Sequence, residues 1–203
     1  MRPEQALQEI AEIRKRLQLV DTRSSFRCVS LALSSGLFVI AALAMNWFAV
    51  SPANGIRFVG YWIGVSLLSG LMISCELWIR CLSSRSRITV SWSRQVAATL
   101  MPAIAAAAIV TWAILPHSEW IAMLPGLWSI LAGVGFACCV RLLPGLSQVA
   151  ALWWIVGGAL AIRRVDLVSE HVSLSMILLF GVGQLLLTAS LYPGVRREPH
   201  SDD

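Results

Sequence analysis

From Trp120 to Val140 the chain reads WIAMLPGLWSILAGVGFACCV, 21 residues without a charge. As a helix rising 1.5 Å per residue, the run is about 30 Å long, the thickness of a bilayer's hydrocarbon core. Trp120 stands at one end, where an amphipathic ring favours the headgroup level, and Arg141 stops the run at the other. The stretch is predicted to cross a membrane, and several more like it follow the same logic.

Composition agrees. Hydrophobic residues make up 57% of the 203, charged residues 13%, and the mean hydropathy is +0.73. A soluble domain carries roughly 25% charge, so lipid is the expected solvent. Apolar runs occupy about 29–50, 58–80, 95–115, 120–140, 146–162 and 172–192. The fifth is short and places Trp153 and Trp154 at its centre, which fits a tilted or partly re-entrant segment. Six spans is the leading count and five the alternative. The expected fold is an all-α integral membrane protein. A cytosolic amphipathic helix and linker (1–28) precede a bundle of about six transmembrane helices (29–192), and a cytosolic tail (193–203) follows.

The net charge of +5 comes from basic residues that border the apolar runs, so orientation in the membrane accounts for it better than nucleic acid does. With six spans, Arg2, Arg14, Lys15, Arg16, Arg23, Arg27, Arg80, Arg85, Arg87, Arg94, Arg141, Arg196 and Arg197 fall on one side. Arg57, Arg163 and Arg164 fall on the other. The positive-inside rule then puts both termini in the cytosol. Ala42-Leu43-Ala44 has the small-x-small form of a signal cleavage site, but 28 mostly polar residues precede the first run and four of them are acidic. Retention of the segment is therefore expected.

Residues 3–20, PEQALQEIAEIRKRLQLV, have an apolar seam of Ala6, Ile10, Ile13, Leu17 and Val20 at spacings of 4, 3, 4 and 3. That is helical periodicity, and Pro3 suits a first helical position. Two heptads are too few for a stable isolated coiled coil, so the seam needs a surface. It either packs on its own bundle or the lipid, or docks a cytosolic partner or a second copy. Ile10, Ile13, Leu17 and Val20 form the candidate docking face.

Small residues at helical spacing point to close helix packing in lipid. Gly60 and Gly64 form GxxxG in the second run, and Gly133 with Ala137 and Gly157 with Ala161 repeat the spacing. Packing within the chain is the simpler expectation and a homo-oligomer the alternative. Glu76 is the one acid inside an apolar run. It stands four residues before Arg80, which permits an interfacial ion pair, while its depth makes it a candidate proton or substrate site. Gln184, in FGVGQLLL, lies deeper and has to find a hydrogen-bond partner on another helix. Glu76, Arg80 and Gln184 are thus the candidate polar site, and Pro102 the expected kink in the third run.

No catalytic, metal or cofactor motif is evident. Cys28, Cys75, Cys81, Cys138 and Cys139 contain no CxxC and fall toward the cytosolic side, as free buried thiols would. His117, Glu119, Asp166, Glu170 and His171 fall on the outer side. A solvated rim explains them, and a divalent-ion or pH-sensing site is the sharper alternative. Trp47, Trp62, Trp112 and Trp120 are expected in one interfacial belt, Trp78 and Trp92 in the other. Walker, GxGxxG, HExxH and GxSxG patterns are missing, so no enzyme activity and no cofactor are expected.

Three strings, EIAEIRKRL, LPGLWSILAGVGFACCVRLLP and FGVGQLLLTASLY, together resemble a group of small bacterial multi-pass inner-membrane proteins with no assigned activity. The resemblance implies a bacterial plasma membrane and transfers no catalytic residue. The function expected is a non-enzymatic accessory or sensor that engages a cytosolic partner through its N-terminal helix. A small transporter or channel using Glu76 and Gln184 is the alternative. The expected partners are the lipid bilayer, a cytosolic protein and a second copy, with no nucleic acid.

Overall fold

The computed structural model describes residues 28–45, 47–83, 87–139 and 147–191. The N-terminal seam, Arg141, Pro144 and the tail lie outside the described residues, as does the side chain of Arg80. Among the described residues every regular element is helical. In chain order these are α1 (Cys28–Ala44), α2 (Gly55–Ser83), α3 (Arg87–Ile114) and a 3-10 turn (Ser118–Met123). Then come α4 (Leu124–Cys138), α5 (Ser147–Arg163), α6 (Val165–Glu170) and α7 (Val172–Met176). A π turn (Ile177–Val182) and α8 (Gly183–Leu191) close the chain as one continuous rod with α7. Among the described residues four segments are long and apolar enough to cross a membrane: Gly55–Glu76, Arg94–Ile114, Ser118–Cys138 and Val172–Ser190. The chain is therefore read as membrane-embedded. Helices α1 and α5 are apolar but only 17 residues each, about 26 Å long, slightly less than a bilayer core.

Local chemistry sets the helix boundaries. The apolar letters continue past Ala44 to Val50, but the chain turns there, with Trp47 and Phe48 amides bonding back to the Ala44 carbonyl. Ala49 takes a left-handed backbone, φ 50°. The side chain of Asn54 then accepts from the Arg57 amide, and its carbonyl accepts the first bond of α2 from Phe58. Pro125 occupies the first turn of α4, where a missing N–H costs nothing. Pro102 lies inside α3, which runs on as helix although the proline offers no donor to the turn before it. Helices α2 and α3 outrun their apolar windows, so much of the basic connection between them is helix rather than loop.

The tightest contact is α4 against α5. A Cβ added at Gly126 would stand 2.8 Å from the Gly158 carbonyl, and one at Gly158 would stand 2.5 Å from the Gly126 carbonyl. At Gly133 it would be 2.7 Å from the Ala151 carbonyl. The two layers, Gly126 with Gly158 and Gly133 with Ala151, are seven residues apart on each strand of an antiparallel pair. That is the repeat of a coiled-coil seam with backbones drawn together by small residues. Gly157, next to this seam, faces Leu179 of the last rod. Around Gly60 and Gly64 there is open space, so the close packing within this chain is made by other glycines.

Two apolar clusters fill the interior. One lies at the end where α1 turns into α2, and includes Phe38, Met45, Phe58, Trp62, Ile121, Leu124, Val172 and Met176. Trp62 is 1% exposed and stacks on Phe38, which stacks in turn on Phe180, so this indole is core rather than belt. Trp47, Trp112, Trp120 and Trp78 are exposed, as belt residues are. The second cluster, nearer the other end, holds Leu31, Cys139, Ala150, Trp154 and Leu187. Helix α3 contributes least: 11% of its span window is buried, against 39% for the segment containing α4. Most of its surface is left uncovered by the rest of the described chain.

Gly158→Leu is expected to overpack the α4–α5 seam and lower stability by about 1–3 kcal/mol. Gly60→Leu, into open space, is expected to change it little. Thermal unfolding of the two variants in the same detergent checks the contrast.

Candidate functional site

Between the two apolar clusters three helices meet through polar side chains. Ser34 comes from α1, Ser69 from α2 and Gln184 from α8. Ser34 and Ser69 are 0% and 4% exposed. The Ser34 hydroxyl donates to Gln184 Oε1 at 2.9 Å, and Ser34 Oγ is also bonded to Ser69 Oγ. A serine has one proton to give, so Ser69 must donate to Ser34 while Ser34 donates to Gln184. The result is a directed chain running from α2 through α1 to α8. Ser34, Ser69 and Gln184 stand ten, fourteen and twelve residues from the helix ends at Ala44, Gly55 and Val172. That places the chain about 15–21 Å in from that end, roughly two thirds of the way along the spans Gly55–Glu76 and Val172–Ser190.

One turn away the backbone itself departs from the α-helix. In the π turn Ile177–Val182 the i→i+5 pattern disturbs the regular carbonyl ladder. Two side chains from other helices answer it. Ser35 of α1, 1% exposed, donates to the Gly181 carbonyl at 2.9 Å. Trp153 of α5 donates its indole N–H to the Leu178 carbonyl at 3.0 Å. The two central tryptophans of the fifth run thus divide their work. Trp153 caps the π turn, while Trp154 is 2% exposed and stacked on Phe136 at 4.9 Å. Trp154 also receives a bond on its carbonyl from the buried Ser129 hydroxyl. Its indole nitrogen finds no acceptor and lies 2.2 Å from where a Cβ on Gly183 would be, so only glycine fits there. Elsewhere the Trp128 indole donates to Thr111 at 2.8 Å, and Thr111 donates to the Ala107 carbonyl, tying α4 to α3. Tyr61 donates to the Ala41 carbonyl at 2.7 Å, tying α2 to α1.

Glu76 is not part of this chain. It stands seven residues beyond Ser69 on α2, about 10 Å further along the axis and close to the end of the span. It is half-buried and makes an interaction of its own. Gln184 and Glu76 therefore occupy different depths. Cys75 and Cys138 are exposed and Cys139 is buried, and all three are free thiols. At the opposite end His117 Nδ1 lies 3.9 Å from Glu119, with both side chains exposed, and the His117 ring sits 4.8 Å from that of Trp120. Among the described residues no three His, Cys, Asp or Glu side chains are placed to hold a metal ion. Residues 1–203 match no known protein-family model, no curated protein and no solved structure.

Need for a partner at Gln184 follows from its depth. Ser34, Ser35 and Ser69 carry no such signal, because serine is common in membrane helices and its role depends on how three helices are rotated. Ser34→Ala and Gln184→Leu are each expected to cost about 0.6–2 kcal/mol, with a coupling near 0.6 kcal/mol in a double-mutant cycle. Gly183→Ala, which drives a methyl into Trp154, is expected to cost more than either. Unfolding in a lipid–detergent mixture measures all four variants.

Proposed function

We propose that this chain is a non-enzymatic accessory or sensor of a bacterial inner membrane, with both termini cytosolic. In this reading its N-terminal helix presents Ile10, Ile13, Leu17 and Val20 to a cytosolic protein. The observation that carries it is the Ser69–Ser34–Gln184 chain. The polar side chains where α1, α2 and α8 meet are bonded to one another, which is what a bundle does when its interior serves cohesion. Chemistry directed at a partner then belongs to the ends, and the N-terminal seam is the amphipathic stretch that still needs a surface. The excess of basic residues on one side supports the orientation.

A small transporter or channel is the second reading. It is favoured by the π turn at mid-depth beside Gln184, since such turns are frequent where membrane or soluble helices carry function. In that reading the neutral oxygens of Ser34, Ser69 and Gln184 line the path, with Glu76 near its mouth.

A pull-down in mild detergent separates the two. The full chain is expected to retain a partner that a chain starting at Ser24 loses. Should both retain the same proteins, the docking helix is excluded. Solute uptake by proteoliposomes that falls with Gln184→Leu, in a variant that still folds, would favour the second reading.

A further inference from the structure

At the end of the bundle where α1 turns into α2, a cleft of about 340 Å3 opens between that turn and the α6–α7 junction. Its volume lies in the range of small-molecule sites, roughly 300–1,000 Å3. Ser51, Ser169, Glu170, His171 and Ser173 supply its polar wall, and Met45, 2% exposed, lies at its apolar side.

Two further observations bear on it. Ala49, in the turn that forms one wall, is held at φ 50°. A left-handed alanine costs about 1–2 kcal/mol and has no side-chain bond to offset it, and such strain gathers at binding sites. Secondly, the cleft lies where spans end: Gly55 and Val172 open two of them. Trp47 and Phe48, on the same turn, are 91% and 65% exposed, as side chains at the headgroup level are. The opening therefore faces the zone that lipid headgroups occupy.

The lining selects among headgroups. It contains one carboxylate, one imidazole and three hydroxyls, and no lysine or arginine. A purely anionic headgroup would meet Glu170 with no lysine or arginine in the lining to offset it. A primary ammonium gives Glu170 three N–H donors, whereas a choline headgroup gives none. A phosphate one short linker away can accept from the Ser51 and Ser173 hydroxyls and the His171 ring, the Ser169 hydroxyl being donated to the Asp166 carbonyl, and apolar tails can follow Met45 and Leu174 toward the lipid. From this we infer that the cleft binds a phosphoethanolamine headgroup, carried by an aminophospholipid of the adjoining leaflet, with Glu170 taking the ammonium. This site is independent of the N-terminal docking helix and stands if that reading fails.

Native mass spectrometry of the full chain tests it, using an equimolar mixture of phosphatidylethanolamine, phosphatidylcholine and phosphatidylglycerol with matched acyl chains. The ethanolamine lipid is expected to form adducts about tenfold more than either competitor, a difference of about 1.4 kcal/mol. Glu170→Gln is expected to erase the preference and Glu119→Gln, on the neighbouring loop, to keep it. His171→Ala gives a second variant on the same wall. Free O-phosphoethanolamine, titrated into the chain in phosphatidylcholine nanodiscs, separates the sources. Saturation by it without lipid enrichment supports the headgroup chemistry and assigns it to a soluble ligand. Equal adducts of all three lipids with no binding of the free compound overturn the proposal. So does a preference that survives both Glu170→Gln and His171→Ala.

Discussion

A backbone carbonyl in hydrocarbon can bond only to the protein around it, and this requirement shapes the bundle more than any other. Regular helix meets it automatically. The π turn at Ile177–Val182 shifts the ladder to i→i+5, and two of its carbonyls, Gly181 and Leu178, accept further bonds from Ser35 of α1 and Trp153 of α5. Those two bonds come from two different helices. The last rod is thereby fixed in rotation between α1 and α5, and its Gln184 is turned toward Ser34. The hydrogen-bond chain is thus coupled to the irregular backbone next to it.

Apolar contact between helices brings little in lipid, because tails are as apolar as leucine. Cohesion here comes instead from close backbone approach and from interhelical hydrogen bonds, and the two are spatially divided. The α4–α5 pair is held by small residues, Gly126 on Gly158 and Gly133 on Ala151. The α1–α2–α8 group is held by Ser34, Ser69 and Gln184. Trp154 bridges them, stacking on Phe136 of α4 while its ring fills the gap left at Gly183 of α8. Its indole N–H stays without an acceptor, a cost of about 1–3 kcal/mol that the aromatic packing must offset. Helix α3, tied to α4 by Trp128 and Thr111, is largely uncovered by the other helices.

Membrane residence was legible from Trp120–Val140 because length and absence of charge are properties of a string. So was the placement of Pro125, which depends on local geometry alone. The end of α1 was not: Trp47 to Val50 score as apolar whether they continue a helix or turn, and the turn depends on a left-handed Ala49. Nor does a four-residue glycine spacing say which way a helix faces. Gly60 and Gly64 face open space, while the seam in use repeats every seven residues through Gly126, Gly133 and their partners. The same holds for Trp62, whose composition suits a belt and whose rotation puts it between Phe38 and Tyr61. The π turn has no compositional mark at all.

Helix α2 is 29 residues long and is gripped at Ser69, with fourteen residues still to run before Ser83. Beyond that grip it forms a lever arm of about 21 Å. Small angular changes at the hydroxyl would be magnified at its tip: a tilt of about 5° sweeps Ser83 sideways by about 2 Å at that radius. Since α2 and α3 both continue past their apolar windows, the tip of α2 extends beyond the segment apolar enough to cross a membrane. A bond between two serines inside the bundle is therefore also the fulcrum for the part of α2 that outruns its span.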